Sequence, residues 1–316
     1  MRVAIVGAGA IGGFLAGALA RSGVPVAIVA RGEHLRAIAE RGLEIESDLG
    51  RFTARVDASD DLRKLGTFDA VLCTFKAHQW EPLLPQLEAV AHGGATLVTL
   101  QNGLPFWYVR DPPLGSVDPQ GRIAALFPDD RIAGGVVHVS GTLTEPGRIV
   151  QSGGTRYVLG DPRGGVTPRV TALIDVLRAA GLDAEGDANV RSTVWLKLVN
   201  NVGLNATSAL RGMRIRPLLE DAQSRAEVRT LMLETLTLGR VLGFVDRTDV
   251  DARIAYAARL ADVKTSMLQD LERGRELELE PILGAVVELA ERCGAAVPHV
   301  RASYAALRAL EESRRA

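Results

Sequence analysis

Lys197, Asn201 and Asn205 stand four residues apart in the segment WLKLVNNVGLN at 195–205. On a helix that spacing puts all three on one face. Asparagine is a poor helix former, and a buried unpaired amide costs about 1–3 kcal/mol. A helix that carries such a row among Leu and Val therefore needs a reason. A solvated polar face is one. The other is a line of one amine and two amides facing a cleft, able to hold a small polar molecule and to polarise a carbonyl. The apolar neighbours favour the second. Composition sharpens the choice: of 37 basic residues, 33 are Arg, and the four lysines are Lys64, Lys76, Lys197 and Lys264. Arg keeps its proton near neutral pH, whereas Lys can be tuned to release it. A Lys in this background is a weak pointer to a position that needs an amine. Asn is equally sparse, with three of five at 200, 201 and 205.

A second stretch, KTSMLQD at 264–270, is followed by GRELELE at 274–280. Glu276, Glu278 and Glu280 alternate, which does not suit one helix face, so they divide between a loop and a helix start. For any one of them, a solvated helix N-terminus is the competing reading and the favoured one on composition. Two more polar residues follow expected strands: Lys76 after DAVLCTF, and Asn102 in QNG after ATLVTL. In an open α/β sheet, ligands bind beyond the carboxyl ends of the strands. There Lys76 can meet a cofactor ribose or phosphate, and Asn102 a carboxamide or substrate. A solvated charge and Asn-Gly turn chemistry are the alternatives.

The chain opens with RVAIV, then Gly7-Ala8-Gly9-Ala10-Ile11-Gly12, then a small-residue helix over 13–22 and a strand over 25–30. A GxGxxG turn between a strand and a helix, inside a βαβ unit of about 30 residues, is the context that makes the motif a dinucleotide fingerprint. Its glycines allow a tight turn, close approach of backbone to a pyrophosphate, and close helix–strand packing, and the helix N-terminus offers N–H groups to the phosphates. An acid about 20 residues on would bind the ribose 2′-hydroxyl of NAD. Here the second strand ends in Ala30-Arg31-Gly32 with no acid before Glu33. Arg31 suits the 2′-phosphate of NADP, and an ordinary surface Arg is the alternative. The glycine spacing also argues against reading the start as a signal peptide.

These residues need a scaffold. Strands at 43–47, 52–56, 69–75 and 95–100, a helix near 79–91, strand patterns over 134–160 and a helix near 167–180 imply an α/β domain with a mostly parallel sheet. Residues 103–130 hold five prolines and the run Phe106-Trp107-Tyr108, which reads as a long functional or mobile loop. From about 188 the pattern turns helical: 190–210, 218–243, 249–272, 276–293 and 299–313. The expected organisation is a Rossmann-type domain over 1–188 and an all-helical domain over 189–316. With 47% hydrophobic and 24% charged residues and a net charge of −1, the chain shows neither long disorder nor a basic nucleic-acid footprint. No apolar run is long enough to span a membrane. Two distant cysteines fit a reducing cytoplasm, and the five histidines show no metal-ligand spacing.

Taken together, GAGAIG at 7–12, Arg31, FKAHQ at 75–79, LQNG at 100–103, WLKLVNNVGLN, KTSMLQD and GRELE resemble one family in the right order over nearly the whole chain. It is the ketopantoate reductases (2-dehydropantoate 2-reductases). The resemblance implies a Rossmann-type domain plus a helical domain, with the active site in the cleft between them. It implies NADPH-dependent reduction of 2-dehydropantoate to pantoate, a step toward pantothenate and coenzyme A. By the same resemblance Lys197 is the catalytic lysine; Asn201, Asn205 and Ser266 bind substrate; Asn102 lies near substrate and cofactor; Lys76 and Ser140 contact the cofactor; and Glu278 sits beside the nicotinamide end and the reacting carbon. Two departures stand out. Where many members read an acid, two residues, then Asn-Gly, this chain has Glu280-Pro281-Ile282-Leu283-Gly284, and the stretch after Asn102-Gly103 is longer and more aromatic. Both are expected to line or cover the cleft. The expected partner is a small 2-oxo acid, with no nucleic acid or membrane, and a homodimer stays open. Two alternatives remain: the same chemistry on a different 2-oxo acid, and a non-catalytic NADP(H)-binding sensor, which has no use for the Lys–Asn–Asn row.

Overall fold

The computed structural model describes residues 1–246, 248–259 and 263–315. Contacts divide the chain into two units, Met1–Gln101 with Arg122–Arg191, and Asn102–Gly121 with Ser192 onward. This differs from the division expected at 188. The break falls inside the first turn of a helix, and the segment 102–121 belongs with the helical unit.

In the first unit the described residues form a ten-stranded sheet: β1 (Val3–Val6), β2 (Val26–Val29), β3 (Leu43–Ser47), β4 (Gly50–Ala54), β5 (Asp57–Ser59), β6 (Ala70–Cys73), β7 (Thr96–Thr99), β8 (Ile132–Glu145), β9 (Arg148–Gly160) and β10 (Asp183–Gly186). Five helices accompany it: α1 (Ala10–Arg21), α2 (Gly32–Arg41), α3 (Trp80–Gly93), the short α4 (Arg122–Leu126) and α5 (Pro168–Ala179). β1, β2, β6 and β7 are buried along their whole length, as their unbroken apolar runs require of parallel strands covered on both faces. The strand order is β4-β3-β9-β8-β7-β6-β1-β2-β5, with β10 also on β9. The run β5-β2-β1-β6-β7-β8 is parallel throughout. It has the strand order of a doubly wound dinucleotide-binding sheet, whose direction of winding reverses between β1 and β6. Beyond that run, β8 and β9 form one long antiparallel hairpin with register shifts at 138–140, 140–141 and 143–145. The sheet is therefore mixed, with β3–β4 also antiparallel.

The second unit is helical. It holds α6 (Val190–Asn200), a π-turn (Asn201–Asn205), α7 (Ala206–Arg211), α8 (Ile215–Glu220), α9 (Ala222–Val241), α10 (Val250–Arg259), α11 (Ser266–Glu272), a second π-turn (Glu280–Gly284), α12 (Ala285–Cys293) and α13 (Pro298–Arg315). Three expected helices are corrected. The one at 218–243 is two, because the Asp221 carboxylate accepts the Ser224 N–H at 2.8 Å and starts a new helix. The one at 249–272 resolves into α10 and α11, with 260–262 outside the described residues. The one at 276–293 begins later, since Glu276 and Glu278 lie in irregular chain before its first turn. No described helix is long and apolar enough to cross a membrane.

The segment 102–121 is not an open loop. Phe106, Trp107 and Tyr108 are each at most 2% exposed. Tyr108 stacks at 6.0 Å from Trp195 and meets Phe244 edge-on at 4.9 Å. The Glu288 carboxylate accepts the Gly115 and Ser116 N–H groups at 2.9 Å, and Arg292 donates to the Pro112 and Pro113 carbonyls at 2.7 and 2.6 Å. The aromatics expected to line a cleft instead pack behind the helix that carries Lys197.

Candidate functional site

In the first unit the glycine loop joins β1 to α1, where the winding reverses. Gly7 has φ +109, and a Cβ there would lie 2.5 Å from the Phe75 nitrogen. A Cβ on Gly12 would lie 1.9 Å from the Gly7 oxygen. Gly9 is different: it is exposed, its backbone is extended, and no atom lies within 4 Å of the Cβ position. Two glycines are thus required by packing and one leaves clear space at the N-terminus of α1. No side chain caps that terminus, so its N–H groups, with those of Ala10 and Ile11, remain for an anion. Thr74 closes the loop from below, its Oγ1 donating to the Gly7 oxygen at 2.7 Å. Sequence reasoning missed Thr74; only its place at the end of β6 signals it.

Of the other residues expected to contact a cofactor, Arg31, Lys76 and Ser140 lie on the first unit too, while Asn102 and Glu278 belong to the second. Arg31 follows β2, exposed and extended at the N-cap of α2. Lys76 follows β6, and its N–H is donated to the Gln79 carboxamide at 3.3 Å. Ser140 is exposed on β8 at a register shift. Its neighbour Gly141 would bring a Cβ within 3.7 Å of the Ala10 Cβ, so this hairpin flanks the glycine loop. Ala8 is buried beneath.

In the second unit, Lys197, Asn102 and Glu278 come together. Glu278 is only 5% exposed. The Asn102 amide points at its Oε2 from 3.5 Å, a long contact. Asn102 is set by its neighbours. Gly103 has φ +81, and a Cβ there would lie 2.5 Å from the Pro281 oxygen, which also accepts the Leu104 N–H at 2.8 Å. Within this unit, residues 103–104 are thereby fastened to the second π-turn, which starts two residues past Glu278. Lys197 keeps part of its surface accessible. Even so, burial of its ammonium pulls the pKa down to about 8 against the opposing pull of Glu278. It is mainly protonated at pH 7 and poised to give that proton up.

The row of amides differs in one respect from a plain helix face. On an α-helix each step of four residues drifts about 40° round the axis, so Asn205 would stand about 80° from Lys197. The π-turn over Asn201–Asn205 is wider, takes up part of that drift and draws Asn205 back toward the line. Packing produces it: a Cβ on Gly203 would be 2.6 Å from Met232 Cγ and 3.1 Å from the Val228 oxygen, so α9 lies hard against this turn. The Gly203 oxygen accepts the Thr207 hydroxyl at 2.8 Å. Asn205 is 8% exposed. The Asn201 Nδ2 is buried with no hydrogen-bond partner among the described residues, a costly arrangement unless something else accepts from it. Asn200 faces elsewhere, accepting from Arg253 Nε at 3.0 Å while Arg253 also donates to the Leu196 oxygen at 2.8 Å. That arginine escaped the sequence reading.

Ser266 is exposed at the start of α11, which packs on the first π-turn. Its neighbour Thr265 caps that helix and donates to Ser208 Oγ at 3.1 Å. Of the four lysines, Lys64 and Lys264 are accounted for by surface ion pairs with Asp60 at 3.0 Å and Glu272 at 2.7 Å. Lys76 and Lys197 are the two at candidate positions. Glu276 is exposed, and Glu280 accepts the Tyr304 hydroxyl at 2.5 Å. Among the three alternating glutamates only Glu278 joins the cluster, against the reading of a solvated helix start.

Family models match both units: "Ketopantoate reductase PanE/ApbA" over residues 3–164 and its C-terminal counterpart over 189–311. The chain belongs to the ketopantoate reductase family. A 2-dehydropantoate 2-reductase of Mesorhizobium japonicum is 38% identical, covering 99% of each chain. Among solved structures, a putative ketopantoate reductase from Ralstonia solanacearum superposes with a TM-score of 0.93 at 32% identity, over 99% of this chain and 98% of the other. A 2-dehydropantoate 2-reductase from Methylococcus capsulatus does so with 0.85 at 29% identity over 99% and 98%. At 23% identity, D-mandelate dehydrogenase solved with NADH and anilino(oxo)acetate shares the fold, with a TM-score of 0.86.

Proposed function

We propose that this protein reduces the ketone of 2-dehydropantoate to the alcohol of pantoate, with NADPH as cofactor. The cradle fits such a cofactor: Gly9 and the α1 N-terminus would take the pyrophosphate, Arg31 the 2′-phosphate, and Lys76 and Ser140 would make further contacts. Bound NADPH supplies the hydride. The chain supplies the rest. The Lys197 ammonium hydrogen-bonds the ketone oxygen, stabilises the charge that develops there and delivers the proton. Glu278 keeps that ammonium charged and accepts from it or from a substrate hydroxyl. Asn102, Asn201, Asn205 and Ser266 hold the carboxylate and hydroxyl, so that the carbonyl is presented in one orientation. The observation that carries the proposal is the grouping of a half-buried lysine of pKa about 8 with a buried glutamate, one turn from the unpartnered amide of Asn201. The identity to curated 2-dehydropantoate 2-reductases supports the substrate.

The test is NADPH oxidation followed at 340 nm with 2-dehydropantoate beside smaller and bulkier 2-oxo acids. The highest kcat/KM is expected on 2-dehydropantoate. A clear preference for another oxo acid would reassign the substrate but keep the chemistry. NADPH binding without turnover of any of them would point to a sensor.

The choice of NADPH rests on Arg31, exposed at the end of β2 with no acid before Glu33. Arg31→Ala is expected to lower kcat/KM with NADPH about tenfold or more while leaving NADH within about twofold, as loss of a charge-assisted contact to one phosphate predicts. The check is the ratio of the two kcat/KM values; an unchanged ratio would count against a 2′-phosphate clamp.

A further inference from the structure

We propose that His34 is a positioning residue for the cofactor, tying the glycine loop, the Arg31 turn and the β8–β9 hairpin into one cradle. The inference rests on the cofactor reading above and adds a residue to it. His34 sits on the first turn of α2, three residues after Arg31. Its Nε2 lies 2.7 Å from the Ala8 oxygen, in the middle of the glycine loop. Its Nδ1 lies 2.8 Å from the Gly147 nitrogen, at the turn between β8 and β9.

Those two partners fix the ring's chemical state. A backbone oxygen can only accept and a backbone N–H can only donate, so Nε2 carries the hydrogen and Nδ1 the lone pair. The ring is a neutral imidazole in a single tautomer, and burial holds its pKa below the ordinary histidine value. Gly147 is itself fixed: its oxygen accepts the Glu44 N–H at 2.8 Å, and a Cβ on it would press on Ala37 at 3.1 Å. The hairpin end is thus a rigid anchor. His34 transmits it to Ala8, between the glycine that turns the loop and the one that leaves it open. The imidazole touches no phosphate. It holds the backbone from which the phosphate-facing N–H groups project, and the same short helix start presents Arg31. Proteins that bind well through backbone groups need that backbone held in place beforehand.

The experiment measures NADPH affinity by fluorescence titration, together with kcat at saturating NADPH and oxo acid, for His34→Ala and His34→Gln. His34→Ala is expected to raise the NADPH Kd about tenfold, the order for losing two backbone partners of a part-buried side chain, with kcat within about twofold. His34→Gln keeps one N–H donor for the Ala8 oxygen and is expected to recover most of the affinity. Should the alanine variant not fold, His34→Leu, which fills the space without polar atoms, takes its place. A Kd unchanged in the apolar variant, or raised equally in the glutamine variant, overturns the proposal; so does a fall in melting temperature with unchanged Kd, which is a structural role alone. If the unaltered protein does not bind NADPH, the cofactor reading fails as well, and the two failures are told apart by that first titration.

Discussion

Lys197→Ala is expected to cut kcat about 10²–10⁴-fold at saturating NADPH and oxo acid, the range for removing a positioned general acid. NADPH affinity should stay within about twofold, because in the proposed arrangement Lys197 meets the ketone and not the nucleotide. Loss below tenfold would remove Lys197 from the role of acid. The pH profile gives a second reading of the same residue. With a pKa of about 8, the protonated form dominates at pH 7 and disappears as pH rises through that value. The rate should therefore be flat below and fall about tenfold per unit above. Glu278 pulls the lysine pKa upward, so Glu278→Gln should move the alkaline limb toward lower pH. A limb that stays in place would separate Glu278 from the lysine.

The second large effect concerns Gly9. Its backbone is extended and no atom lies within 4 Å of its Cβ position, so an L-residue costs the fold little. Gly9→Asp should leave the melting temperature within about 2 °C, as expected of a surface substitution free of strain. Yet it puts a carboxylate where the pyrophosphate is proposed to lie. Like charges forced together cost several kcal/mol, so the NADPH Kd should rise at least about 100-fold. Gly12→Ala is the contrast: a Cβ 1.9 Å from the Gly7 oxygen strains the protein itself. An NADPH Kd within threefold of the unaltered protein in Gly9→Asp would take the pyrophosphate away from this loop.

The two units were unequally readable from the residues. The glycine loop was legible because its meaning is local: three glycines and the strand and helix beside them are enough. The Lys197 row was legible because helical spacing survives to a first approximation. What escaped depends on partners distant in sequence. The π-turn at Asn201–Asn205 arises where Gly203 meets Met232 and Val228. The burial of Phe106-Trp107-Tyr108 follows from Trp195 and Phe244, while prolines and glycines nearby suggested an open loop. Glu278 was indistinguishable from Glu276 and Glu280 by composition; only the fold buries it alone.

The π-turn after Lys197 has a consequence for how relatives of this chain diverge. A helix of that kind holds one residue more than α-geometry requires. Removing that residue would restore plain α-geometry and leave what lies beyond it facing as it does now, since seven α-helical residues turn about 700°, within about 20° of two full turns. The second asparagine would keep its place in line with Lys197 although it stood only seven residues away. A relative with one residue fewer between its lysine and its second asparagine can therefore present the same polar row, and a comparison of positions made without a gap at this turn would misplace that asparagine.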